Sequence, residues 1–443
     1  MKIITVIDAM MGSGKTQAMY QMIRSHPEKS YIIVTPYLNS ISDAMDAGLD
    51  IRQPEYKGGT KLDSLKYLLA HGYNICCTHA LFLNIDHEVL DLIRDSGYTL
   101  FIDEALDVVK PINDLIEDVG YKVKKGTASF LISQGIIAVD DLCRVRWCGK
   151  SMETLDYEYR YLEPLIKGGN VLCVNGQLFL WMFPPQIFST FENVYILSYL
   201  FDGSVFDGYL KIHGFNYSMG GVSGEYGGNE FAFTDYQDDF TKRKELKPYI
   251  KIYNGKANEV GAKKFDLSAT WYDTAKTSDL AMVRRGFNTF YKRVTAPDRK
   301  LMWTAYKDQR EVLCIPGGGS VRRLTTEESR AMEADSENRN SELNKLRCFV
   351  ACNAKATNDY KDRNMLAYLI NRFYNPLIKG MFRDKYGITL NEDRYALSEM
   401  IQWIWRSKIR ANELPLEERS IDLYIPSARM RELMQKWLDG EAI

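Results

Sequence analysis

The sequence predicts an α/β fold built from two parallel-sheet domains, and three observations carry that prediction. Its strand candidates are continuous apolar runs rather than alternating ones, as expected of strands covered on both faces. Segments of helical composition and length lie between them, which is the order a parallel sheet with crossover helices requires. A glycine-rich turn follows the first strand directly and opens into an apolar helix.

The β-branched run Ile3–Ile7 is the first strand, and MMGSGKTQAMYQMI is the turn and helix after it. Past a polar loop at Ser25–Lys29, the runs Tyr31–Pro36, Asn74–Phe82 and Tyr98–Ala105 supply further buried strands. Ser64–Ala70 and His87–Arg94 are helices between them. The first 110 residues therefore form a doubly wound unit. Residues 111–170 are richer in charge and elaborate it, with a helix in LDYEYRYLEPLIKGG ending at Gly168 or Gly169. VLCVNGQLFLWMF and NVYILSYLF are expected to close the unit, which places the first domain at 1–205 and the second at 206–443.

In the second half, the glycine-rich stretch Ser218–Tyr236 is a loop or hairpin. KPYIKIYNG is a strand, Asp279–Val294 a helix and Lys300–Tyr306 a strand. The polar insertion 317–345 suits an exposed helix or loop, and Cys348–Ala354 is strand-like. Helical material is expected over Lys361–Phe382 and Leu397–Arg410, then a strand at Ile421–Pro426 and a helix at Ala428–Leu438.

Composition bounds the function. Of 443 residues, 45% are apolar and 26% charged, which excludes a largely disordered or collagen-like chain. Lys plus Arg is 57 against 58 Asp plus Glu, so any nucleic-acid surface must be a local patch. Lys122, Lys124, Lys125, Arg144 and Arg146 form one basic cluster and Arg284, Arg285, Lys292 and Arg293 another, and ordinary solvated surface is the favoured reading of both over a phosphate-binding patch. No apolar run reaches the ~20 residues that span a bilayer, so no membrane partner is expected. The eight cysteines lack paired CxxC blocks, and the N-terminus reads as a strand rather than a cleaved leader. Both features fit reduced thiols and a cytoplasmic location, the host cytoplasm for a virus-encoded chain.

The chemistry concentrates in a few places. In AMMGSGKT, Gly12, Ser13 and Gly14 form a tight turn whose backbone N–H groups surround phosphates, although Ala9 stands where the usual pattern has glycine. Lys15 reaches the β- and γ-phosphates, Thr16 ligates Mg²⁺, and the helix N-terminus favours the anion. In FIDEAL, Asp103 and Glu104 end a strand facing the same cleft. Asp103 would hold the Mg²⁺ through water, and Glu104 would orient or deprotonate the attacking water. In QWIWRSKIR, Gln402, Arg406 and Arg410 recur every four residues, so on a helix they share one face and can converge on a triphosphate, either arginine serving as a finger.

These segments resemble the motifs of superfamily 2 nucleic-acid helicases, particularly the compact DNA helicases of bacteriophages. AMMGSGKT resembles motif I, TPYLNSI motif Ia, THALF motif Ib, FIDEAL motif II and ILSYLF motif III. LMWTAYKD resembles motif IV, NAKATNDY motif V and QWIWRSKIR motif VI, with Trp405 in place of the glycine usual in motif VI and its arginines four apart rather than three. The resemblance implies two RecA-like domains with an interdomain nucleotide cleft, ATP hydrolysis with Mg²⁺, and a strand crossing both domains. It implies phosphate-backbone contacts from Thr35, Tyr37, Asn39, Thr78 and His79 in the first domain, and from Thr304, Lys307, Lys355, Thr357 and Asn358 in the second. DNA is favoured over RNA, replication proteins are possible partners, and the oligomeric state is open. The alternatives are a viral DNA-packaging ATPase and a nucleotide-regulated replication or origin-binding module without sustained unwinding.

Overall fold

Along the early strands, neighbouring side chains go to two different cores. In β5 (Thr99–Asp103), Leu100 and Ile102 enter one and Phe101 the other. In β2 (Tyr31–Thr35), Ile32 and Val34 part from Tyr31 and Ile33 in the same way. Both faces are apolar because both are covered by helices, which is why the sequence shows runs instead of alternation. These and the other elements belong to a computed structural model that describes residues 3–36, 41–42, 44–45, 47–56, 59–116, 122–149, 161–224, 230–293, 300–315, 348–352 and 360–443.

The first sheet combines these two strands with β1 (Ile3–Asp8), β3 (Ile51–Arg52), β4 (Asn74–Thr78), β11 (Asn193–Ser198), β12 (Tyr217–Ser223) and β13 (Ala232–Asp235). Its order is β13-β12-β1-β11-β5-β2-β4-β3, parallel except for the β12–β13 hairpin. Helix α1 (Lys15–Ser25) follows β1, α2 (Lys61–Ala70) precedes β4, and α3 (His87–Ser96) precedes β5. Local chemistry sets their ends. Thr60 and Asp63 form a reciprocal capping box on α2, and Asp86 caps α3, which stops at the left-handed Gly97. The expected boundary at 205 falls before β12 and β13, so the first sheet in fact runs to Asp235.

Between β5 and β11 the chain builds a small antiparallel sheet, β6 (Val109–Pro111), β9 (Val171–Val174) and β10 (Leu178–Met182), beside a hairpin of β7 (Ile137–Val139) and β8 (Val145–Trp147). This corrects one expectation: VLCVNGQLFLWMF is a hairpin outside the main sheet, because Asn175 and Gly176 both take positive φ and turn β9 back on β10.

The second sheet is fully parallel in the order β14-β17-β16-β15, with β14 (Ile250–Ile252), β15 (Leu301–Thr304), β16 (Met365–Tyr368) and β17 (Ile421–Tyr424). The expected α/β class with two parallel-sheet domains therefore holds. Helices α5 (Thr277–Arg293), α6 (Pro376–Tyr386), α7 (Glu392–Ile404) and α8 (Ala428–Leu438) accompany this half, and α4 (Val205–Ile212) precedes β12. The expected helical stretch Lys361–Phe382 is instead central strand β16 followed by α6. Met365–Tyr368 is buried on both faces, and Pro376 begins the helix after the strand has ended. Cys348–Val350 pairs with β15 as an isolated bridge, Trp303 to Phe349, rather than as a full strand.

The halves pack directly on each other. Tyr374, Met381, Phe382 and Leu390 belong to the first core, while Tyr199 and Leu200 belong to the second. The Tyr199 hydroxyl donates to Asp239 at 2.6 Å and accepts from the Trp437 indole at 2.7 Å, pinning β11 to α8.

Candidate functional site

The register of three parallel strands creates the site. Ile7 of β1 lies opposite Leu197 of β11, which lies opposite Asp103 of β5, so the glycine-rich turn and the acidic pair leave the same edge of the sheet. Ligands collect at such carboxyl edges because the loops there diverge and leave a crevice. Ala9 N donates to the Ser198 carbonyl at 3.1 Å and Glu104 N to the Leu197 carbonyl at 3.1 Å, so both loops are tied to β11.

The turn closes through two left-handed glycines, Gly12 (φ 76°) and Gly14 (φ 92°). Gly14 is the N-cap of α1 and supplies no side chain to its first-turn N–H groups, which stay available to an anion. Lys15 Nζ donates to the carbonyl of Ala9 and to that of Met10 at 3.2 Å, folding back over the loop. Ser13 Oγ is buried without a hydrogen-bond partner among the described residues. An orphaned hydroxyl beside uncapped N–H groups fits a phosphate, which would satisfy both.

Charge is concentrated here against desolvation. Burial lowers the Lys15 ammonium from 10.5 to about 8, and the charges of Asp103, Asp8 and Glu104 oppose that fall. Burial, reinforced by the adjacent Glu104 charge, raises the Asp103 carboxyl from 3.8 to about 6, against the pull of Lys15 and Arg410. Glu104 has φ 63°, a left-handed value uncommon outside glycine that turns it out of the line of the strand. Asp8, buried at the end of β1, accepts from the amides of Leu200 at 2.7 Å and Phe201 at 3.2 Å and shapes the turn after β11.

From the second half, Arg410 lies near enough for its charge to act on both Lys15 and Asp103. The expected single helical face of Gln402, Arg406 and Arg410 does not form. Helix α7 stops at Ile404, Arg406 lies in the turn beyond it, and Arg410 belongs to a separate 3-10 turn, Lys408–Arg410. The run Trp403–Ser407 is buried, and the chain turns there to keep those side chains in the core. Arg406 is only 5% exposed.

The predicted nucleic-acid contacts divide. Thr35 and Thr304 are buried strand-end side chains and do not offer their hydroxyls at the surface. His79 is buried as well, and its Nε2–H donates to the Asp103 carbonyl at 3.1 Å, bracing the strand end that carries the carboxylate. Thr78 caps the short helix His79–Phe82 by accepting from Leu81 N at 3.3 Å. Lys307 is exposed in the 3-10 turn Lys307–Gln309 that follows β15. Tyr37, Asn39, Lys355, Thr357 and Asn358 lie outside the described residues. Of the basic patches, Arg284 and Arg285 line an open hollow with Thr277, Asn288 and Ile315.

Three residues at the site escape sequence reasoning. Phe231, at the foot of β13, packs on Gly14, where a Cβ would come within 2.2 Å of the ring. Asn412 reaches Gly12 from the second half, and Arg419 holds Asn412. Phe231 had one signal, its place beside a glycine-rich stretch; the other two had none.

Fold and local geometry define a two-domain parallel α/β protein with a glycine-rich loop opening its first helix and an acidic pair beside it. A family model described as the YonV C-terminal Rossmann-like domain matches residues 244–438. A SPbeta prophage-derived uncharacterized protein, YonV of Bacillus subtilis (strain 168), is 32% identical over 453 residues, covering 100% of both chains. The chain belongs to the YonV family. Among solved structures it is similar to an apo XPD at 13% identity and TM-score 0.49, covering 98% of this chain and 95% of that one. It is also similar to Xpd4 of S. tokodaii at 11% identity and TM-score 0.48, covering 100% of this chain and 94% of the other. Both likenesses are too low to transfer an activity.

Proposed function

We propose that the chain is an ATP hydrolase that couples turnover to movement along a nucleic-acid strand, acting as a helicase or translocase on DNA in preference to RNA. The observation that carries the reading is the convergence of Lys15, Asp103 and Arg410 on one cleft, with Arg410 coming from the opposite half of the molecule. The turn at Gly12–Gly14 cradles the phosphates, and Lys15 leaves the Ala9 and Met10 carbonyls to bind them. Thr16 and Asp103 would hold Mg²⁺, which when bound neutralises charge on the phosphate oxygens. Glu104 accepts the proton of the attacking water, and Arg410 stabilises the charge that develops as the terminal phosphoryl group leaves. An arginine supplied across the cleft ties hydrolysis to the relation between the two halves, which is what strand movement requires.

The motif resemblance supports the nucleic-acid part of the reading, and the prophage origin of the Bacillus subtilis relative supports DNA. The test is ATP hydrolysis with and without defined single- and double-stranded DNA and RNA, paired with strand separation. The expected result is hydrolysis stimulated most by single-stranded DNA. Hydrolysis indifferent to every strand, beside tight nucleotide-dependent DNA binding, would replace the motor with a nucleotide-regulated binding module.

A further inference from the structure

Asn412 stands two residues past Arg410 in a turn of its own. Its backbone N–H donates to the Arg410 carbonyl at 2.7 Å, and Leu414 N donates to the Ala411 carbonyl at 2.8 Å, so the two side chains sit on one short support. Arg419 fixes that support completely. Its Nη1 donates to Asn412 Oδ1 at 2.7 Å, its Nη2 to the Asn412 carbonyl at 3.0 Å and its Nε to the Leu414 carbonyl at 2.7 Å. A guanidinium only donates, so the Asn412 oxygen is committed to it and the amide nitrogen must point the other way. That way is the glycine-rich loop: Asn412 Nδ2 lies 3.5 Å from the Gly12 carbonyl and 3.2 Å from where a Gly12 Cβ would stand. The contact with the carbonyl is long and uses one of the two amide protons, so the second is available to another acceptor at the loop.

We propose that Asn412 is a nucleotide-contacting residue supplied by the second half, its amide donating to a phosphate oxygen of the triphosphate in the loop, with Arg419 as the positioning residue that aims it. The proposal rests on the ATP-hydrolase reading and adds to it a neutral donor beside the Arg410 charge. Lys15 and Arg410 attract a phosphate by charge, whereas an oriented amide also fixes where its oxygen lies.

The experiment is steady-state ATP hydrolysis by the full chain, with kcat and KM separated, alongside equilibrium ATP binding and thermal melting. Asn412→Asp keeps both Arg419 bonds and the side-chain volume but turns a donor into an anion facing phosphate. We expect its KM for ATP to rise about tenfold or more with a lower kcat and an unshifted melting temperature. Asn412→Ala should move the same constants less. Arg419→Met should follow Asn412→Ala, and Arg419→Lys should recover part of the loss. Wild-type kcat and KM in Asn412→Asp, in a protein whose hydrolysis is abolished by Lys15→Ala, would overturn the Asn412 assignment alone. Absence of ATP binding by the wild-type chain would overturn it together with the hydrolase reading.

Discussion

Asp103 shows how much of the site is made by neighbours rather than by the residue itself. Its carboxyl is held up at about 6 by burial and by Glu104, while burial holds the Lys15 ammonium down at about 8. Each works in its charged form. Asp103 loses its charge as pH falls through about 6 and Lys15 loses its charge as pH rises through about 8, so both are charged only between those values. The profile of kcat/KM for ATP, which reports the free enzyme, should therefore be bell-shaped with limbs near those two values. A profile that stays flat well below 6 and well above 8 would refute the assignment of both groups. His79 is instructive in the opposite direction: placed by its motif among strand contacts, it instead serves Asp103 from beneath through the backbone carbonyl.

At the scale of elements, the glycine-rich loop is held from two sides. Gly14 needs its left-handed φ of 92°, and it needs the space that the Phe231 ring occupies, since a Cβ there would lie 2.2 Å from the ring. Gly14→Ala should cost about 1–3 kcal/mol of stability, read as a lower urea midpoint, and should weaken ATP binding. An unchanged midpoint would mean that the hairpin does not brace the loop. Elements whose chemistry is contiguous were legible. GSGKT and FIDEAL each carry strand, turn and reactive groups within a few residues, and α8 was read at its bounds, Ala428–Leu438. Other elements were not. The four-residue strand β16 is a short apolar run that periodicity cannot tell from a buried helix. The helical spacing of Gln402, Arg406 and Arg410 misled because burying Trp405 and Arg406 ends α7 before the arginines can align. The Asn175–Gly176 turn was an available hairpin signal.

For the whole molecule, the two halves meet in two chemically different ways. Around α4 and α6 the contact is apolar: a Cβ on Gly208 would fall 2.7 Å from the Phe382 ring, and Met381, Phe382 and Leu390 complete the first core. Such packing resists separation. At the cleft the contact is mixed: Met10 and Met11 of the loop pack against the second core, and Arg410 and Asn412 add polar neighbours. The Arg410 side of the cleft was legible in QWIWRSKIR, whereas the Asn412 contact was not, since Gly12 and Asn412 are 400 residues apart and no motif links them. The claim on which the account turns is that an arginine from one half completes a hydrolytic site in the other. The most direct test is the turnover of Arg410→Ala, measured with ATP binding in the same protein. The account predicts a fall in kcat of about a hundredfold or more with ATP affinity changed far less, because the guanidinium acts chiefly on charge that develops during transfer. Wild-type turnover in that variant would contradict it.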